Sequence, residues 1–529
     1  MIIVGVEGVQ FVLISLLIAV AGLATAARLV NVPYPIVLVA GGLALGFVPA
    51  LPHPALPPDL VLIVFLPPLL YSSAFFADLH DLRDGARAIS LTAIGLVLAT
   101  MCAVAVVAHA LIDGMPWAAA FALGAVVGPT DPLAATTIAR RLSVPRRVVS
   151  LLEGESLVND GTALVAYKFA LGAAAGGAFS LWDAGTEFVL KASGGVAIGL
   201  VVGWVLSEIR RVLNDIPVEI TISLLSGYAG YIPAEEIGAS GVLAAVTVGI
   251  VVGWRAPQIS TASMRLQGYA VWETLVFLLN ALLFVLIGLQ LPLILEALSG
   301  RSPATLLGEA AAVSLAVILT RLLWVNTVPY IIRALDRRPS QRARRAGWRV
   351  RMVSGWAGMR GAVSLAAALA LPTRFPQRDL VLFLTFAVIF TTLVLQGLTL
   401  PALIRRLGVR DDGAEEREEL AGRRAATEAA LLTIEQLSGE EWTREDTADR
   451  MRRAYEYRRS RLSARAGESD DGADYEYEFR ALKYQKMVRR VLDAQRAELA
   501  RMRNAGQISN AVMHRLEREL DLEDERLEI

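Results

Sequence analysis

The chain has 529 residues, 55% of them hydrophobic, and a mean hydropathy of +0.50, with the apolar residues in repeated long runs; this excludes an ordinary soluble enzyme. A formal net charge of zero hides two regions, since residues 1–410 carry roughly 29 Lys/Arg against 22 Asp/Glu and residues 411–529 roughly 22 against 29. The single cysteine, Cys102, lies in an apolar run and excludes an intrachain disulfide or a cysteine metal cluster.

At the N-terminus no basic residue precedes the first apolar run and Glu7 sits where a signal peptide would be basic. Arg28 follows the run instead, which predicts a first spanning helix with its C-terminal end inside the cell. About thirteen segments near the ~20 residues a bilayer requires are then expected, over 8–28, 32–50, 58–77, 88–112, 116–139, 147–172, 184–207, 217–232, 237–254, 269–297, 304–332, 350–372 and 379–404. The short 217–232 run is the weakest. With the N-terminus outside, the inner connections hold Arg28, Arg83, Arg87, Arg140, Arg141, Arg146, Arg147, Arg210, Arg211, Arg255, Arg265 and the basic stretch from Arg333 to Arg351. The outer ones hold only Arg301, Arg374 and Arg378, and Pro52-His53-Pro54 and Asp113-Gly114 carry no Lys or Arg. That asymmetry fixes the orientation and puts the C-terminal end in the cytoplasm. His53, His80 and His109 fall at segment ends or in loops, where interfacial roles are expected.

The division therefore predicted is a membrane domain over 1–408 and a cytoplasmic helical tail over 409–529. In the tail Val488, Leu492, Leu499 and Met502 recur at helical spacing, Gly439, Gly467 and Gly506 mark breaks, and Glu468 to Tyr477 reads as an acidic linker. The tail reads as a solvated appendage, with regulation or dimer contact as the sharper alternative. Its net acidity and lack of motifs argue against a nucleic-acid partner.

Chemistry concentrates in residues 124–168. Gly128-Pro129-Thr130-Asp131-Pro132 sets an aspartate between prolines, where a helix loses its backbone hydrogen bonds. Glu155-Ser156-Leu157-Val158-Asn159-Asp160 places Ser156 and Asp160 at i, i+4, with Glu155 and Asn159 on a neighbouring stripe. Arg321 and Arg360, the latter among Gly355, Gly358 and Gly361, complete five charges inside apolar sequence. Each costs about 2.5–3.5 kcal/mol on a lipid face, so the five should face inward and find partners. Three carboxylates against two guanidiniums leave one negative charge over, enough for a proton or a monovalent cation but not both. Ser156, Asp160, Asp131 and the carbonyl of Thr130 offer hard oxygens suited to Na+ or Li+. Residues 116–139 and 350–372 are both interrupted, at matching places in the order, which predicts inverted repeats with two broken helices crossing at the site. Taken singly these features have plainer readings: a kink at the proline-flanked aspartate, an interhelical hydrogen bond at the Ser/Asp pair, close packing around Arg360.

At these residues the sequence resembles the sodium/proton exchangers of the NhaP/NHE type over most of residues 8–405. The motifs that carry the likeness are Thr130-Asp131-Pro132, Glu155-Ser156 with Asn159-Asp160, and Met359-Arg360-Gly361-Ala362. The resemblance implies a homodimer of thirteen-helix subunits in the cell membrane, with a dimerisation domain and a six-helix ion-carrying core. Asp160 would alternate between Na+ (or Li+) and H+. Asp131, Ser156 and the Thr130 carbonyl would be further cation ligands, Glu155 would pair with Arg321, and Arg360 would sit at the crossover. Asn159 resembles the electroneutral branch, and because Asn cannot titrate, one cation for one proton is the expected exchange. No cofactor is expected beyond the transported ions. Two other classes fit less well: an intramembrane enzyme using Asp131 and Asp160 as a dyad, which lacks the Gly-x-Gly-Asp context, and a channel, which lacks a carbonyl-lined filter.

Overall fold

The computed structural model describes residues 6–30, 32–48, 58–174, 181–213, 215–335, 347–411, 413–465 and 473–528. Pro52-His53-Pro54, Gly467, residues 468–472 of the acidic linker and residues 336–346 of the basic stretch lie outside the described residues. The chain divides into two compact units, 1–412 and 413–529. Among the described residues every regular element is helical.

The first unit begins with α1 (Val6–Leu29), α2 (Tyr34–Gly46) and α3 (Pro58–Phe75). A single rod follows, made of α4 (Leu79–Ser90), a π-helical stretch over Leu91–Leu96 and α5 (Val97–Leu111). The apolar pattern predicts a start near residue 88. The helix starts nine residues earlier because Asp78 caps it, accepting from the backbone N–H of His80 at 2.8 Å and of Asp81 at 3.3 Å. Next come α6 (Trp117–Val127) and α7 (Pro132–Arg141), two halves of an interrupted segment, and α8 (Arg146–Ala174). Then α9 (Leu181–Val212), α10 (Ile216–Glu236), α11 (Gly241–Ile259), α12 (Ala262–Ala297) and α13 (Pro303–Leu335) run in sequence. A second interrupted segment is α14 (Trp348–Trp356) and α15 (Ala362–Leu369). A last rod joins α16 (Arg378–Thr391), a π-helical stretch Thr392–Gln396 and α17 (Gly397–Leu407). Among the described residues seven of these stretches are long and apolar enough to cross a bilayer on length and composition alone.

Three packing groups make up the unit. The rods α3, α9, α10 and α11 pack on one another; α12 lies along α2 and α1; and α4 to α8 pack with α13 to α17. Small residues let the backbones close up, as expected where lipid offers no hydrophobic drive between helices. On α9, Gly195 meets Ser240, the cap of α11, and Gly199 and Gly203 meet Thr247 and Val251 on α11, while a Cβ on Gly288 of α12 would come within 2.2 Å of the Gly42 carbonyl carbon on α2. The outward side of α9 is apolar, with Leu190 71% and Trp204 53% exposed, as a lipid-facing surface requires.

The second unit is four helices, α18 (Ala414–Ser438), α19 (Glu445–Arg465), α20 (Ala473–Asn504) and α21 (Asn510–Glu528). Helix α20 starts inside the stretch read as linker. Its stripe is real, since Leu492 is fully buried and Val488, Leu499 and Met502 are half-buried. Gly506 turns the chain in the left-handed region at φ +70°, a conformation that favours glycine. Arg496 then ties α20 to α21 by hydrogen bonds to Asp521 at 2.9 Å and Asp524 at 3.0 Å.

Candidate functional site

The two interrupted segments cross and bond through their extended backbones. The Asp131 N–H donates to the Met359 carbonyl at 2.8 Å. Proline at 129 and 132 forbids a continuous helix through this point, and Pro132 takes the first position of α7, where its missing N–H costs nothing. Asp131 is the N-cap of that helix, with Oδ1 accepting from the Leu133 N–H at 2.9 Å. Its Oδ2 accepts from the Ala362 N–H at 3.3 Å, the first residue of α15. One carboxylate therefore caps two half-helices, both of which point their positive dipole ends at it. Gly361 permits this approach: a Cβ there would lie 1.7 Å from Asp131 Oδ2.

The opposite ends of the broken helices meet guanidiniums. Arg360 Nη1 donates to the Gly128 carbonyl at the end of α6, and its backbone N–H donates to Thr392 Oγ1 at 3.1 Å. Arg360 is 1% exposed, and its Nε and Nη2 have no partner among the described residues. Arg321, on α13, donates from Nε and Nη2 to the Ser354 carbonyl of α14 at 3.3 and 3.1 Å. The same guanidinium forms a bidentate ion pair with Glu155 of α8, Nη1 to Oε1 and Nη2 to Oε2 at 3.2 Å, with both side chains 1% exposed. Paired geometry of this kind is what makes a buried charge tolerable.

Thr130 links this pair to the next turn of α8. Its hydroxyl donates to Glu155 Oε1 at 3.1 Å and accepts from Asn159 Nδ2 at 2.9 Å. Because Thr130 spends its hydrogen on Glu155, the Asn159 amide is oriented with nitrogen toward Thr130. Asn159 Oδ1 is left buried without a partner among the described residues. The Thr130 carbonyl also accepts nothing from the described residues. Ser156 is buried and its hydroxyl makes no hydrogen bond to a described residue. Asp160, half-buried one residue beyond Asn159, has neither a hydrogen bond nor an ion pair with any described residue.

The structure thus joins Thr130, Glu155, Asn159 and Arg321 by direct side-chain bonds, ties Asp131 and Arg360 to the ends of the broken helices, and sets Ser156 and Asp160 on α8 without partners among the described residues. Of the five charges read from the sequence, Asp160 is the one with no hydrogen bond or ion pair to a described residue. Sequence reasoning missed the Thr130 hydroxyl, the Thr392 hydroxyl and the carbonyls of Gly128 and Ser354, whose places depend on helix rotation. It also counted Arg210 as an inner-loop charge. Arg210 lies in the last turn of α9, 1% exposed, paired with Glu219 of α10 at 3.3 Å. The signal available was Glu219, an acidic residue inside the apolar 217–232 run. Among the described residues no group of three or more His, Cys, Asp or Glu gathers as a metal site. The donors at the crossover are instead carboxylate, hydroxyl and carbonyl oxygens, the set that suits a weakly held alkali cation. His109 is exposed, stacks on Trp117 with centroids 4.1 Å apart and places Nδ1 2.7 Å from the Met115 carbonyl.

Fold and site define a class: a multi-pass membrane transporter with two broken helices crossing beside an unpaired carboxylate. Residues 13–406 match the family described as "Sodium/hydrogen exchanger, transmembrane", and the chain belongs to that family. An uncharacterised Na+/H+ exchanger of Mycobacterium tuberculosis is 35% identical across 99% of this chain and 98% of its own length. A sodium, potassium, lithium and rubidium/H+ antiporter of Bacillus subtilis is 33% identical across 70% of this chain and 58% of its own length. The sodium proton antiporter MjNhaP1 of Methanocaldococcus jannaschii shares the fold at a TM-score of 0.58 and 18% identity, over 74% of this chain and 98% of that one.

Proposed function

We propose that the protein exchanges Na+ or Li+ for H+ across the cell membrane, one for one, by competition of cation and proton for the Asp160 carboxylate. The observation that carries this is the solitary state of Asp160. Among the described residues every other charge at the crossover is committed to an ion pair or a helix end, which leaves the Asp160 carboxylate for a mobile charge. Ser156 Oγ, Asn159 Oδ1, the Thr130 carbonyl and the remaining lone pairs of Asp131 are the oxygens around it that a desolvated cation would use. Proton and cation exclude each other because a protonated carboxyl has lost the charge that holds the cation. Asn159 beside it cannot take a second proton, which favours electroneutral exchange. Alternating access follows if the group α4–α8 with α13–α17 moves against the remaining helices, carrying Asp160 between the two sides.

In this reading thirteen spans cross the membrane, with the N-terminus outside, residues 413–529 in the cytoplasm and two subunits paired. A broader cation range that includes K+ is the second reading, favoured by the name of the Bacillus subtilis relative. The test is dissipation of a preset pH gradient in sealed proteoliposomes on adding Na+, Li+ or K+, for the wild type and Asp160→Asn, with and without a clamped membrane potential. Exchange that is lost in the variant and indifferent to the clamp is expected. Exchange that survives in Asp160→Asn sinks the assignment of the site, and a rate that follows voltage sinks the one-for-one stoichiometry.

A further inference from the structure

A second buried polar cluster lies apart from the crossover, where the ends of α3, α9, α10, α11 and α12 meet. A cavity there is lined by Arg210, Ser223, Ser260, Arg265 and Trp272, among apolar neighbours. Its chemistry is one-sided. Arg210 gives Nη2 to Glu219 Oε1 at 3.3 Å and to Ser260 Oγ at 3.4 Å, while its Nε and Nη1 are buried without a partner among the described residues. Ser223 Oγ accepts from Trp272 Nε1 at 3.0 Å, and Ser260 Oγ accepts from Arg210, so each keeps its own O–H to donate. The Tyr71 hydroxyl, packed against Trp272 with ring centroids 5.2 Å apart, is buried beside Ser223 and Arg210. Arg265 has turned one donor away from the cavity's needs, covering the Ser260 carbonyl at 2.6 Å. Two guanidiniums therefore face one carboxylate, and the unspent guanidinium nitrogens of Arg210 are donors only.

We propose that this cavity binds one monatomic anion, chloride in ordinary salt, held by Nε and Nη1 of Arg210 with the hydroxyls of Ser223 and Ser260. Size selects the class. The cavity volume of about 10 Å³ takes one water-sized sphere, which admits a halide with slight expansion and leaves no room for phosphate or a carboxylate ligand. A cation is repelled by Arg210 and Arg265. A water molecule could satisfy donors but would leave the excess positive charge in place, whereas a halide removes both costs. The bound anion pins the end of α9 to those of α10, α11 and α12, so occupancy braces the helix group that packs around α11. This inference is independent of what is transported.

The experiment is thermal unfolding of the full-length protein in detergent, titrated with NaCl, NaBr or sodium gluconate at matched Na+ concentration and ionic strength. Chloride and bromide should raise the midpoint saturably, by about 2 °C or more, and gluconate should not. Ser260→Ala and Arg265→Gln should each move half-saturation to about tenfold higher chloride; if Arg265→Gln does not fold, Ser260→Ala decides. Arg210 is left intact because its removal strands Glu219. Equal midpoints in chloride and gluconate at every concentration would mean water alone fills the cavity and would overturn the proposal. So would a chloride response that is unchanged in Ser260→Ala, because the anion would then act elsewhere.

Discussion

At the scale of single residues, the crossover separates two kinds of buried charge. Glu155 is bonded on every side, to Arg321 and to Thr130, whereas Asp160 has no partner among the described residues. Their substitutions should therefore part company. Asp160→Asn removes an uncompensated charge and replaces it with a near-isostere, so exchange should vanish while the melting temperature stays at or above that of the wild type. Glu155→Ala strands the Arg321 guanidinium, a loss of about 3–5 kcal/mol for a broken buried pair, and its melting temperature should fall. Thermal unfolding of both variants in the same detergent checks this. A destabilised Asp160→Asn beside an unchanged Glu155→Ala would mean the roles of the two carboxylates are reversed.

At the scale of elements, the site depends on two helices that stop and restart, and only part of that was legible in the chain. The prolines at 129 and 132 announce the first break, and the glycines around Arg360 announce the second. Ser156 and Asp160 could be placed on one face of α8 from their spacing alone. What the sequence could not reveal is how the two breaks lock together. That lock joins residues more than two hundred positions apart, Asp131 to Ala362 and Arg360 to Gly128, and depends on the rotation of each half-helix. The π-helical stretch that presents Thr392 to the Arg360 N–H likewise has no proline or glycine within it to signal it. Gly361 tests the lock directly. Gly361→Ala puts a methyl 1.7 Å from Asp131 Oδ2 and 2.4 Å from its Cβ, so the carboxylate that caps both half-helices has to swing away. The variant should lose the cap on α15, exchange should be abolished and the melting temperature should drop. Gly355→Ala is the control, because its Cβ would meet only the side chains of Val325 and Leu322 within 3.4 Å and these can shift. Full exchange by Gly361→Ala would mean that Asp131 does not need to cap both helices.

At the scale of the whole molecule, charge divides the chain as the contacts do. The basic membrane region and the acidic tail read from composition meet near residue 410, and the compact units part between 412 and 413. Each unit has its own means of cohesion. The second buries Ile434, Leu462, Leu492 and Met513 and links α20 to α21 through Arg496, Asp521 and Asp524. The first contains both partners of every hydrogen bond at the crossover. The residues proposed to hold the cation, Asp160, Ser156, Asn159, Thr130 and Asp131, all lie in the first unit. A chain ended after Asp412 should therefore still insert and dissipate a pH gradient in proteoliposomes on addition of Na+, and Asp160→Asn should still silence it. The tail's contribution would then show as a change in how exchange responds to pH or ionic strength, with the ion requirement unaltered. If the shortened protein inserts and keeps the melting temperature of the full chain yet exchanges nothing, the tail must belong to the transport cycle itself, and the division of labour drawn from charge and contacts fails.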